Sequence, residues 1–178
     1  MTTDVSPFEH IYNLGSLGRA GDEVLVVARG EELKRIAEWA KVRRVESFSA
    51  TVALRKLSAA SFSYDARFRA EIVQDCVVTL EPVRSIVERN IRRGLHLADA
   101  RLLPAESEVV VDPISEEDDV REEISSLYFD LAAPLLEELA LGIDPYPRAP
   151  GVTFSPPEDT EGRPESPFAV LKNLKKPG

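Results

Sequence analysis

The chain has 178 residues, 43% of them hydrophobic and 30% charged, with a formal net charge of −9. That is room for one domain, or one domain with a tail, at an ordinary globular composition. The negative balance argues against a surface that coats nucleic acid everywhere, the single cysteine excludes an internal disulfide framework and any multi-cysteine zinc site, and no apolar run approaches the ~20 residues that span a bilayer.

Met1-Thr2-Thr3-Asp4 lacks the basic start and apolar stretch of a secretory signal, so the expectation is a soluble cytoplasmic domain. Val24 to Ala28 is a short apolar run bounded by Gly21-Asp22 and Gly30, which suits a buried strand. From Glu31 the period changes. Leu33, Ile36, Ala37 and Ala40 fall on one face of a helix, with Glu31 and Glu32 at its positive end and Lys41 in its last turn.

Then the period becomes two. Phe48, Ala50, Val52 and Leu54 alternate with Ser47, Ser49, Thr51 and Ala53, and Phe62, Tyr64, Ala66, Phe68, Ala70 and Ile72 alternate with Ser61, Ser63, Asp65, Arg67, Arg69 and Glu71 over a longer stretch. On a helix such runs would spread apolar groups all around, so these are half-buried strands, read as antiparallel neighbours. Arg67 and Arg69 lie on the outer face of the second. Val83 to Leu97 fits a helical stripe and an alternating strand almost equally; its β-branched content and Gly94 favour a strand.

Between Glu106 and Glu123 stand nine acids and one base, Arg121, whereas Lys41 to Arg101 holds twelve bases and seven acids. The acidic run is read either as a solvated surface loop or as a segment lying near the basic face and competing there with an anionic partner. Leu127-Tyr128-Phe129 is expected as a short strand. Asp130 is placed to cap a helix whose stripe is Leu131, Leu135, Leu136 and Leu139, with Pro134 tolerable only near its first turn and Gly142 as its stop. From Pro145 onward stand eight of the thirteen prolines, which reads as an arm and not as part of a sheet. Within it Phe168, Leu171 and Leu174 make an apolar stripe flanked by lysines, either docked on its own domain or folding on a partner.

Local patterns for catalysis are weak. Cys76 reads first as a small buried residue; a catalytic thiolate would need a base, and neither His10 nor His96 is tied to it by sequence. The same three residues have no zinc-ligand spacing. Glu81 is expected to cap a turn or pair with Arg84. Gly15-Ser16-Leu17-Gly18 is too short for a phosphate loop and lacks its lysine, and there is no serine-centred elbow. The basic group is the best signal for a partner: Arg67, Arg69, Arg89, Arg92 and Arg93, with Arg84 and Arg101 nearby, are expected on one side of a sheet, where they would follow an RNA backbone through its phosphates. No aromatic residue interleaves with them to stack on bases.

Cys76-Val77-Val78-Thr79-Leu80-Glu81-Pro82-Val83, following an alternating strand, resembles the central motif of the YceD family, the large ribosomal RNA subunit accumulation proteins. Pro167-Phe168-Ala169-Val170-Leu171 with Leu174-Lys175 resembles the family's C-terminal signature, and the Leu139-Ala140-Leu141 helix ahead of a proline-rich stretch fits as well. Thr79 stands where many relatives carry a second cysteine, so any metal or redox role of a cysteine pair is not open to this chain. The resemblance implies a role in the accumulation or maturation of large-subunit ribosomal RNA in bacteria or plastids, with no catalytic residues to carry over; Cys76, Glu81 and Pro82 match as motif residues only.

The expectation is therefore an α+β domain, residues 1–144, with a curved, mostly antiparallel sheet and two flanking helices, followed by a proline-rich C-terminal arm, residues 145–178. Its expected role is that of a non-catalytic ribosome-biogenesis factor using no metal, cofactor or small-molecule substrate. Its expected partner is large-subunit (23S) ribosomal RNA, or a ribosomal or RNA-processing protein, touched by the arginines and by Phe168, Leu171 and Leu174. Two other readings stay open: an adaptor that never touches RNA, and a hydrolase using Cys76 or Glu81, which would need a cleft beside them.

Overall fold

A computed structural model describes residues 6–98 and 121–153. Arg101, the acidic run before Arg121, and Phe168, Leu171 and Leu174 lie outside the described residues.

The elements in chain order are β1 (Ile11–Asn13), β2 (Asp22–Val27), α1 (Glu31–Ala40), β3 (Arg44–Lys56), β4 (Ser61–Asp75), β5 (Pro82–Leu97), β6 (Arg121–Ile124), β7 (Tyr128–Asp130) and α2 (Ala133–Gly142), with a 3-10 turn at Leu14–Ser16. Five strands form one sheet in the order β2-β3-β4-β5-β6, and β1 pairs with β7 in a second, two-stranded sheet. All pairings are antiparallel except β5 with β6. The fold is thus α+β with a mostly antiparallel curved sheet system and two helices.

The alternation read from the sequence sets the two faces of this sheet. In β4 the even residues Phe62 to Ile72 are buried while Arg67 and Arg69 are exposed. Their cross-strand partners carry the same division: Phe48, Ala50, Val52 and Leu54 of β3, and Val87, Ile91 and Leu95 of β5, are buried with them. A shift in pairing between Val45 and Ser47 bends β3.

The apolar face is closed by α1, which buries Ile36 and Ala37, by α2, which buries Leu135, Leu136 and Leu139, and by Phe129 of β7. Phe8 meets Phe48 edge-on at 5.9 Å, and Tyr64 meets Phe129 edge-on at 6.1 Å. Tyr64 is fully buried, and its hydroxyl donates to the Leu131 carbonyl at 2.9 Å. Burial pushes its phenol pKa well up, so the hydroxyl stays a donor.

Helix ends follow local chemistry. Lys41 takes a left-handed conformation (φ 54°) and ends α1 by donating to Ala37 and Glu38 carbonyls. Asp130 accepts at 3.0 Å from the Ala132 amide and at 2.7 Å from the His10 amide, so one carboxylate oxygen ties β1 to the approach of α2. Pro134 sits in the first turn, where its missing N–H costs nothing. At the other end of α2, Gly142 lies against β5 so closely that any Cβ there would collide with Val87.

Two elements had no clear signal. β1 is three residues long, and β6 lies at the end of the acidic run, where Glu122 and Glu123 pair in register with Leu95 and His96. The body also runs past the expected boundary at residue 144. The Asp144 carbonyl accepts from Gln74 Nε2 at 2.8 Å, Pro147 is buried, and its carbonyl accepts from the Val77 amide at 2.9 Å. Residues 145–150 are thus fixed to the β4–β5 turn.

Candidate functional site: an open sheet face and a hairpin tip

The outward face of the five-stranded sheet is a grid set by strand register. One row across four strands is Leu25, Thr51, Arg67 and Asn90; beside it run Val27, Ser49, Arg69 and Glu88, and on the other side Glu23, Ala53, Asp65 and Arg92. Both α-helices of the described residues pack on the opposite face. Two adjoining hollows of about 680 and 690 Å3 share Thr51, Arg67 and Asn90 as lining.

The arginines expected on one side do not stay together. Arg67, Arg69 and Arg92 are on this outward face. Arg89 and Arg93 are on the other, because their partners in register are Phe68 and Tyr64, whose side chains face the core. The sequence error is one of parity: Arg92 and Arg93 are adjacent, and adjacent residues on a strand point to opposite faces.

Nor are the charges uncommitted. Arg69 bridges Glu71 at 3.0 Å and also Glu88. Arg92 Nε meets Asp65 at 3.0 Å. Arg93, only 17% exposed, reaches Glu137 of α2 at 2.7 Å and Glu122 of β6 at 3.3 Å. Among the described residues Arg67 and Arg89 have no carboxylate partner; Arg89 donates to the Glu88 carbonyl at 2.9 Å. The outward grid holds three arginines and three acids, so it is neutral by formal charge. The Glu122 contact does bring the end of the acidic run to one of the basic residues.

The β4–β5 hairpin tip carries the motif residues. Cys76 is closed off from water. Its amide donates to the Glu81 carbonyl at 2.8 Å and its carbonyl accepts from Leu80 at 2.9 Å, which closes the turn. Its sulfur accepts from the Thr79 amide at 3.5 Å and the Ala149 amide at 3.4 Å. The Thr79 hydroxyl bond, then the amides of Ala149 and Thr79, bring the thiol pKa down to about 7 against the opposing effect of burial. Thr79 therefore serves as a hydrogen-bond donor to the sulfur. Pro82 opens β5, and Glu81 is exposed.

Glu81 does not pair with Arg84, contrary to the sequence reading; Arg84 reaches back to Glu46 on β3 at 3.2 Å. The strand pairing explains this. Arg84 lies opposite Val73, which in turn lies opposite Arg44, the other partner of Glu46. Cys76 and His96 are at opposite ends of the β4–β5 hairpin, roughly 45 Å apart at about 3.3 Å per strand residue. His96 bonds Ser61 at 3.2 Å, and no thiol–imidazole pair forms between them. Among the described residues no three His, Cys, Asp or Glu side chains converge as a metal-ligand set, and no helix is long and apolar enough to cross a membrane.

The tip has a second, apolar side. Leu80 is 74% exposed and has a left-handed backbone (φ 62°), and Val77 and Tyr146 are exposed beside or after the residues that hold the turn. Leucine in that conformation costs about 1 kcal/mol, and the exposed side chain gains no packing in return. Sequence reasoning missed Leu80 because the conformation that exposes it belongs to the turn that the Cys76 backbone bonds close. No family model, curated protein or solved structure matches the chain.

Proposed function

We propose that this protein is a non-catalytic binding factor that supports accumulation and maturation of large-subunit ribosomal RNA. The resemblance of Cys76 to Val83 to the YceD motif gives the process. The observation that carries the binding role is the open sheet face, whose hollows centre on Thr51, Arg67 and Asn90 with Arg67 uncommitted to any carboxylate among the described residues. A guanidinium between a hydroxyl and an amide fits a single phosphate or carboxylate group.

A second reading is favoured by the ion pairs. Arg69, Arg92 and Arg93 already have carboxylate partners, which leaves few phosphate contacts for a nucleic-acid backbone. The neutral grid and the apolar tip residues Val77 and Leu80 suit a ribosomal or RNA-processing protein. The two readings separate by photocrosslinking in cells from residue 67 and from residue 80. RNA adducts from residue 67 select direct RNA contact; protein adducts from both positions select the adaptor. Adducts to neither ribosomal RNA nor any ribosomal or RNA-processing protein reject the proposal.

A further inference from the structure

The five-stranded sheet ends in β2, which has no strand on its outer side among the described residues. The Ala28 amide donates to the Phe48 carbonyl, so Asp22, Val24 and Val26 turn their backbone groups to β3 and Glu23, Leu25 and Val27 turn theirs outward. The Glu23 amide is taken by the Asp22 carboxylate at 2.9 Å, and Tyr12 holds that carboxylate at 2.7 Å. Among the described residues the Leu25 and Val27 amides and the carbonyls of Glu23, Leu25 and Val27 have no such partner.

Edge strands of soluble proteins are usually blunted by lysine, proline or a bulge. Asp-Glu-Val-Leu-Val-Val has no lysine, proline or bulge and carries charge only at its first two residues, and its central outward side chain, Leu25, is 66% exposed. The acids are both at one end. A parallel neighbour of the same sequence would set them against each other. An antiparallel one keeps them at opposite ends and faces Glu23 with Val27.

We propose that β2 is a self-association edge, pairing antiparallel with β2 of a second copy about a two-fold axis at Leu25. Leu25 donates to and accepts from its counterpart, and each Val27 amide donates to the other copy's Glu23 carbonyl. This makes four backbone bonds without disturbing Asp22. The two Leu25 side chains cover each other, and the outward faces join into one ten-stranded surface. This surface has twice the Thr51-Arg67-Asn90 hollows, a bivalent arrangement that no single chain has.

A contact one strand wide is small, and two copies with formal charges of −9 each repel. Association should therefore be weak and should strengthen when salt is raised from about 0.1 to about 1 M, as the screening length falls from about 10 to about 3 Å. Sedimentation velocity of the full chain, up to about 1 mM, the concentration at which an association of about 4 kcal/mol is half complete, tests this. The expected result is a concentration-dependent dimer, weakened at least ~10-fold (about 1.4 kcal/mol) in Leu25→Lys, whose side chain is already outside the core. Under mild oxidation Leu25→Cys should crosslink to itself, since paired residues lie about 5.5 Å apart, and Glu23→Cys should not. A monomer at every concentration, an undiminished Leu25→Lys dimer, or equal crosslinking at both positions overturns the proposal.

Discussion

Among the described residues no imidazole or metal-ligand cluster lies by Cys76, yet its sulfur collects four donors, the Thr79 hydroxyl and the amides of Ala149, Thr79 and Val78. Thr79 is the dominant one, so Thr79→Val should raise the thiol pKa from about 7 toward its ordinary value of 9.0; thiolate absorbance against pH checks this. The same bond has a consequence for stability. The folded-state pKa is lower than the unfolded one, so ionisation stabilises the fold fully above the unfolded pKa. This contribution disappears as pH falls through about 7. The stability difference between wild type and Cys76→Ser should therefore widen between pH 7 and pH 9; denaturation midpoints at a series of pH values measure it. A tight exit from the strand at residues 76–83, with Pro82 opening the next strand, was legible in the sequence. The contribution of Ala149 was not, because its amide reaches the Cys76 sulfur from a segment 73 residues away, and local spacing cannot show such a contact.

At the scale of elements, β3 and β4 were readable because a period of two sustained over many residues has only one structural solution with a buried face, whereas β5 fits a helical stripe almost as well and was read as a strand from its β-branched content and Gly94. The same rule, applied residue by residue through Arg89, Arg92 and Arg93, would have divided them between faces. β6 was hidden because a four-residue strand inside an acidic run has no apolar period. It is held partly by Arg93, which spans β6 and α2 with two carboxylates. Arg93→Ala leaves Glu122, 38% exposed, and Glu137, 60% exposed, without their shared partner and should cost about 1 kcal/mol; chemical denaturation measures the loss. Two backbone tests go in opposite directions. Leu80→Gly relieves a left-handed conformation (φ 62°) at an exposed site and should stabilise by up to about 1 kcal/mol. Gly142→Ala forces α2 off Val87 of β5 and should destabilise by about 1–3 kcal/mol, as overpacking does.

For the whole molecule, the architecture separates a closed core face from an open polar one. The helices, β7 and the segment through Pro147 all close the first. What the open face offers a partner is shape and hydrogen bonds more than net charge, since its acids and arginines balance. Arg67→Glu reverses an outward-facing arginine that has no carboxylate partner among the described residues. It should leave thermal stability within about 0.5 kcal/mol, the usual range for a surface substitution, while weakening partner capture. The proposed support of large-subunit ribosomal RNA has a direct test. That test is the ratio of large- to small-subunit ribosomal RNA in cells depleted of this protein. The account predicts a fall in the ratio that wild-type protein restores and Arg67→Glu restores less well; a ratio unchanged by depletion would contradict it.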